Sequence, residues 1–280
     1  MTSIFSSKMY CFWGGPLAVA VAVAGLPSLA PSGLAQSPGN GGGQATPVVP
    51  QQANSARPEH APARFVVVLD AAHGGDDGGA QFGQSVAEKT VTLDLSVRLR
   101  SLLTARGMQV VTTREGNVSL TNDARAQIAN RAGSGSGAAA CLSLHATEAG
   151  SGVHIFVSSL PPSPPSRFLA WKTAQSAFVT RSLKLASAVN SALEQGSSAG
   201  PIAANLGRTS LPGVDSMACP AVALEIAPVR GSDRKVITDV TDPEYQTQIV
   251  EALAAAMMEW RTEVEADTQQ RPESHKAAQP

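Results

Sequence analysis

From Arg64 onward the apolar positions fall into two alternating patterns. "RFVVVLD" is a short, wholly apolar run, as expected of a strand covered on both faces. Val91, Leu95, Leu99, Leu102 and Leu103 then recur at three- and four-residue spacing, the stripe of a helix, and Gly107 supplies its stop. "MQVVTTR" reads as a second strand, "LTNDARAQIANRAG" as a helix ending near Gly133, and "AACLSLH" and "GVHIFVSS" as two further strands. The break "PPSPPS" precedes a helical stretch from about Phe168 to Leu193, and "PAVALEIAP" is another buried strand. Asp242 is placed to cap, and Pro243 to open, a last helix with Ile249, Leu253 and Met257 on one face. No internal repeat is visible. The alternation predicts one α/β domain with a mainly parallel central sheet and helices on both faces.

The flanks differ in kind. The apolar run "LAVAVAVAGL", from Leu17 to Leu26, is too short to span a bilayer but suits the core of a signal peptide. Gly33 and Ala35 fit the small positions of a cleavage site, so residues 1–35 read as a signal peptide. Cys11 precedes the apolar run, which argues against a lipoprotein anchor and against stable membrane insertion after cleavage. Residues 36–63, rich in Gly, Pro, Gln, Ser and Ala, lack the large apolar groups of a core and read as a disordered linker. The folded domain is expected over 64–264, with 265–280 a disordered polar tail.

Among 280 residues, 15% are charged and the net charge is −1, which gives a nucleic-acid partner no electrostatic support. The expected periplasmic or secreted location permits disulfides, yet Cys141 and Cys219 alone make no disulfide framework. Both fall in or near apolar strands, and the favoured reading is two inert core thiols, with a single bridge as the alternative.

Ligands of open α/β sheets gather outside the carboxyl ends of the strands. His73 follows the first strand, Glu88 lies on the loop leaving it, His145 ends "ACLSLH", and Glu225 lies late in "PAVALEIAP". Two imidazoles and a carboxylate form a catalytic zinc set, with a fourth position left for water. The residues alone also allow His73 to be a turn residue and His145 a satisfied core histidine. Glu225 interrupts an apolar run, so it needs a partner; a structural ion pair with Arg114 or Arg230 is the plain alternative to a catalytic role. His154 reads as structural, and His60 and His275 fall in the polar flanks.

The segments "LDAAHGGDDGGA", "AEKTVTLDLSVRLRSLL", "TTR", "AQIANRAG", "CLSLHAT" and "PAVALEI", in this order, resemble the zinc-dependent N-acetylmuramoyl-L-alanine amidases of bacterial cell walls over about residues 65–262. The resemblance implies a Zn2+ ion held by His73, Glu88 and His145, Glu225 as the catalytic residue, and peptidoglycan as the substrate. It leaves open a protein activator, and an inhibitory role for the short, weakly acidic stretch 160–195. The glycines at 74 and 75 are expected to turn the loop and leave room beside the metal, and Asp76 and Asp77 to be solvated charges.

Three departures stand out. Asp70 is followed by Ala71 and Ala72 where the family usually has Pro-Gly. Thr147 stands where Asn or Asp is usual. "IAPVRGSD" replaces the usual Gly-Phe-x-Ser-Asn after the catalytic glutamate. The last of these keeps a second reading alive, a catalytically weak cell-wall-binding or regulatory protein. A third is a zinc peptidase acting within the stem peptide.

Overall fold

A computed structural model describes residues 65–83, 85–132, 139–164, 170–196 and 200–269. The signal peptide, the linker and the end of the polar tail lie outside the described residues, as do Phe168, His60 and His275.

The element order is β1 (Val66–Ala71), β2 (Gln81–Phe82), β3 (Val86–Ala87), α1 (Glu88–Ala105), β4 (Gln109–Thr112), α2 (Asn122–Ala132), β5 (Ala140–Ala146), β6 (Val153–Ser158), α3 (Val179–Gln195), β7 (Ala204–Thr209), β8 (Ala221–Ile226), β9 (Val229–Arg230), β10 (Val236–Thr238) and α4 (Pro243–Gln269). Short 3-10 segments occupy Trp171–Ala177 and Val214–Ser216. Six strands form the central sheet in the order β4-β1-β5-β8-β6-β7. All neighbours are parallel except β6 and β8, which run antiparallel. β7 escaped the sequence reading because "ANLGRT" lies on the sheet edge and is largely solvated, so it lacks the apolar run of a covered strand.

The period-2 geometry of strands divides their side chains between two faces. Val67, Leu69, Leu142, Leu144, Val153, Ile155, Val222 and Leu224 point to the larger core. There they meet Leu95 and Leu99 of α1, Leu185 and Val189 of α3, and Ile249, Leu253 and Met257 of α4. Val68, Cys141, Ala221 and Ala223 point the other way, against Ala126 and Ala129 of α2 and Val214 and Met217. The expected stretch 168–193 thus divides into a 3-10 turn and α3, and α3 serves as core packing. Asp242 caps α4 as expected: its Oδ1 accepts the Glu244 and Tyr245 amides at 2.9 and 3.0 Å. α4 continues to Gln269, past the boundary at Val264 that the polarity of the tail predicts.

One expectation is overturned. Cys141 and Cys219 are not free thiols but a disulfide, 78 residues apart in sequence with Cα atoms 6.3 Å apart. The cause is the sheet order. β5 and β8 are neighbours, Cys141 is the second residue of β5, and Cys219 lies two residues before β8. The Cys141 amide donates to the Pro220 carbonyl at 2.8 Å, which brings the two side chains onto one face.

Candidate metal centre

The parallel strands β1, β5 and β8 deliver their carboxyl ends to one edge, and His73, Glu88, His145 and Glu225 all reach it. His73 lies two residues beyond β1, Glu88 is the first residue of α1, His145 is the penultimate residue of β5, and Glu225 that of β8. His73, Glu88 and His145 each offer a donor atom within 4.8 Å of the others. His73 Nε2 is 3.1 Å from Glu88 Oε2, and His145 Nδ1 is 3.2 Å from Glu88 Oε1. Donors bound to zinc at about 2.1 Å stand roughly 3.4 Å apart in a tetrahedron, so two imidazoles and a carboxylate at these separations fit the ion.

Each group is held from behind. Glu88 Oε2 accepts the Ala80 amide at 2.9 Å and Oε1 accepts the Ala146 amide at 3.1 Å. Its position in the first turn of α1 also places the negative charge at the favourable end of the helix dipole. Burial alone would raise the Glu88 carboxyl, but its hydrogen bonds to His145 and His73 and from the Ala80 amide hold it well below the usual carboxylate range. The His73 imidazole is raised to about 9 by its hydrogen bond to Glu88; burial opposes this, and Asp77 adds to it.

The loop carrying His73 rests on two buried arginines. Arg125 donates to Asp70 Oδ1 at 2.7 Å, to the Ala71 carbonyl at 2.6 Å and to the His73 carbonyl at 2.7 Å. Arg114 donates to the Ala71 and Ala72 carbonyls at 2.9 Å each. Asp70 also accepts from Thr113 and Ser143, at 2.7 and 2.8 Å. His73 has φ of +60°, rare for a residue with a Cβ. The arginine-held carbonyls on both sides of the turn keep it there.

Gly74 and Gly75 turn the loop as expected, with φ of +134° and +63°, but the room beside the candidate ligands comes from elsewhere. Gly74 and Gly75 pack against Val118 and Ser119, where a Cβ would collide with backbone. Gly79 is the residue that clears space beside the ligands: a Cβ there would lie 2.5 Å from Glu88 Oε2 and 2.6 Å from His73 Cδ2. Asp77 is exposed, as expected of a loop acid, yet its Oδ2 lies 2.8 Å from His73 Nδ1. That contact turns Nε2 toward Glu88.

Glu225 faces the same edge without an arginine. Arg114 is committed to carbonyls of the His73 loop and of Lys89, and Arg230 to the carbonyls of Glu148, Gly150 and Arg234. Neither forms the ion pair that the plain reading of Glu225 requires. Its Cα partner on β5 is His145. Burial pushes the Glu225 carboxyl above its ordinary value; His145 opposes this and Glu88 adds to it.

The departures find local accounts. Ala71 ends β1, and the Ala72 amide continues the ladder to the Leu144 carbonyl at 3.1 Å. Thr147 donates its amide to the Ile226 carbonyl at 2.9 Å and accepts the Ala149 amide on its hydroxyl at 3.1 Å. "IAPVRGSD" carries β9 and the turn toward β10, and Arg230 ties that hairpin to the loop after His145. A cavity of about 160 Å³ lies between this hairpin and Phe82, with Glu148, Arg230 and Asp239 among its walls.

Sequence reasoning missed Asp77, Arg125 and Asp70 as supports of the site. The four-residue step from His73 to Asp77 inside a glycine loop was the available signal. No local signal pairs Arg125 with a strand 55 residues earlier.

Comparison with known proteins agrees with this fold. The solved structure of an N-acetylmuramoyl-L-alanine amidase from Nostoc punctiforme superposes with a TM-score of 0.52 at 20% identity, covering 71% of this chain and 97% of that one. An N-acetylmuramyl-L-alanine amidase from Mycobacterium smegmatis gives 0.52 at 22% identity, again over 71% and 97%. At such identity these matches speak for the fold. The germination-specific N-acetylmuramoyl-L-alanine amidase of Bacillus subtilis is 44% identical over 55 residues, which span 20% of this chain and 23% of that protein. The family model described as N-acetylmuramoyl-L-alanine amidase matches residues 67–259, a span that contains all four site residues, and the chain belongs to that family.

Proposed function

We propose that the chain is a zinc-dependent hydrolase that cleaves the amide between the lactyl group of N-acetylmuramic acid and L-alanine in peptidoglycan. The observation that carries this reading is the convergence of His73, Glu88 and His145 within 4.8 Å, with Glu225 on the adjoining strand as register partner of His145.

His73, Glu88 and His145 would hold the ion. Bound zinc supplies a Lewis acid that polarises the scissile carbonyl and acidifies water. Glu225 then takes a proton from the attacking water as its oxygen bonds to the lactyl carbonyl carbon. It returns that proton to the L-alanine nitrogen as the carbon–nitrogen bond breaks. Burial of Glu225 suits this task, because a raised carboxyl holds the proton between the two steps. The products are a lactyl carboxylate and a free peptide amine.

The substrate lies outside the cytoplasmic membrane, so this reading requires export, and the Cys141–Cys219 bridge suits an oxidising compartment. Among the described residues no helix is long and apolar enough to cross a membrane.

Two measurements on purified protein test the proposal: zinc content, and mass analysis of products from cell-wall sacculi. About one zinc per chain, lost in His145→Ala, and intact stem peptides freed from glycan are expected. Cuts within the stem would favour the peptidase reading. Zinc bound without any product would favour a binding role.

A further inference from the structure

β6 pairs antiparallel with β8, and with its parallel neighbour β7 runs opposite to the other four strands of the sheet, so its beginning, not its end, lies at the site edge. His154, second in β6, is the Cα partner of Glu225, as His145 is on the other side. Side chains of register partners share a face, with Cβ atoms of opposed antiparallel residues about 5 Å apart. His145, Glu225 and His154 therefore form a row across three adjacent strands, on the face opposite the large core of Val153, Ile155, Leu224 and Ile226. A histidine read as structural from its place beyond the ligand strand stands beside the acid.

We propose that His154 is a positioning residue for Glu225, fixing its carboxylate toward the metal side of the row. This rests on the amidase reading above.

The surroundings of His154 hold its ring in place. Its ring stacks on Phe156, with centroids 6.5 Å apart and planes 20° from parallel. On another side it packs so closely on Gly150 that a Cβ there would overlap Nε2, and Gly150 has φ of +88°. The Gly150 loop is itself pinned from the segment that departs from the family pattern. Arg230 donates to the Gly150 carbonyl at 2.9 Å and to the Glu148 carbonyl at 2.7 Å, and its amide donates to Ser151 Oγ at 2.9 Å. "IAPVRGSD" thus builds the wall that seats the histidine, which gives the unusual segment a place in the site. Among the described residues no side chain donates a hydrogen bond to the Glu225 carboxylate, so its orientation is left to its neighbours in the row, His145 and His154. His154 also draws the Glu225 carboxyl down against the upward push of burial.

The test compares the full chain, loaded with zinc, with His154→Leu, His154→Gln, Glu225→Gln and the His154→Leu/Glu225→Gln double variant, on a soluble muramoyl-peptide. His154→Leu should lower kcat by about tenfold, as outer-shell partners do, with KM, zinc content and Tm unchanged. His154→Gln, which keeps a hydrogen-bonding group, should recover most of the loss. In the Glu225→Gln background the leucine should cost nothing more, because its effect runs through Glu225. Urea unfolding of the same proteins without metal should show non-additive stabilities for the pair. An unchanged kcat in His154→Leu overturns the proposal, as does a further equal loss in the double variant or a change confined to KM. A parent chain that binds zinc and releases no product overturns the amidase reading, and this proposal with it.

Discussion

Asp77 Oδ2 lies 2.8 Å from His73 Nδ1, so an exposed loop acid sets which nitrogen of a candidate metal ligand faces the site. A carboxylate in this place accepts the Nδ1 proton, leaves Nε2 free, and makes the imidazole a better donor. Asp77 is exposed, and besides its contact with His73 its side chain accepts the Gly79 amide at 3.2 Å, so the fold has little stake in it. Asp77→Ala should therefore weaken zinc binding by about 10–100-fold with little change in Tm. Competition with a chelator of known affinity, beside a thermal melt of each protein, measures both. Unchanged affinity would return Asp77 to the solvent.

Zinc uptake should release a proton. In the metal-free site the His73 imidazole is raised from 6.5 to about 9, chiefly by its hydrogen bond to Glu88. Near neutral pH it carries a proton that the metal must displace. The sign for folding is opposite to that for binding. A histidine raised in this way stabilises the metal-free fold fully below pH 6.5, and that contribution is lost as pH rises through about 9. Glu88, held below its usual range, stabilises the fold above the ordinary carboxylate pKa and loses this as the solution is acidified. Calorimetric titration of zinc in two buffers of different ionisation enthalpy should show about one proton released per ion. Melts of the apo protein should fall in Tm over the interval in which zinc affinity rises.

Much of this was legible in the chain. "RFVVVLD", "ACLSLH" and "PAVALEI" declared themselves as strands because a covered strand has no polar side to hide, and the strand ends then marked the edge where the candidate ligands meet. Asp242 and Pro243 marked the start of α4. What stayed hidden depended on who lies beside whom. The disulfide needs β5 next to β8, the support of His73 needs Arg125 under β1, and the role proposed for His154 needs β6 to run opposite to β8. Hydrophobic periodicity reports the face of an element; it carries no record of its neighbour or its direction.

The Cys141–Cys219 bridge should matter for stability and not for chemistry. It closes a long loop of chain, and cross-links of that kind stabilise by about 2–4 kcal/mol. It also sits where β5 and β8 begin, at the opposite end of those strands from His145 and Glu225. The Cys141→Ala/Cys219→Ala protein should unfold in urea with a loss of about that size. At a temperature where it remains folded it should bind zinc and hydrolyse substrate as the parent does. A loss of zinc in the folded variant would show that the bridge shapes the site itself.

The sharpest case is Glu225. Glu225→Gln keeps volume and hydrogen bonding but removes the group proposed to take the proton from water. The residue is outside the His73–Glu88–His145 donor set, so zinc should remain bound. Its carboxyl is already raised by burial, so the ionised form is the costly one, and an amide in its place should leave the fold as stable or slightly more so. Neither Arg114 nor Arg230 loses a partner, since both are bound to carbonyls. Hydrolysis should nevertheless fall by about 10²–10⁴-fold, the usual worth of a general acid–base group. Zinc content, Tm and dye release from labelled sacculi, read on one preparation, separate the possibilities. A rate loss with zinc and Tm intact assigns the proton transfer to Glu225. A rate loss that follows a falling Tm makes the residue structural. Near-parent hydrolysis with zinc in place removes it from the reaction.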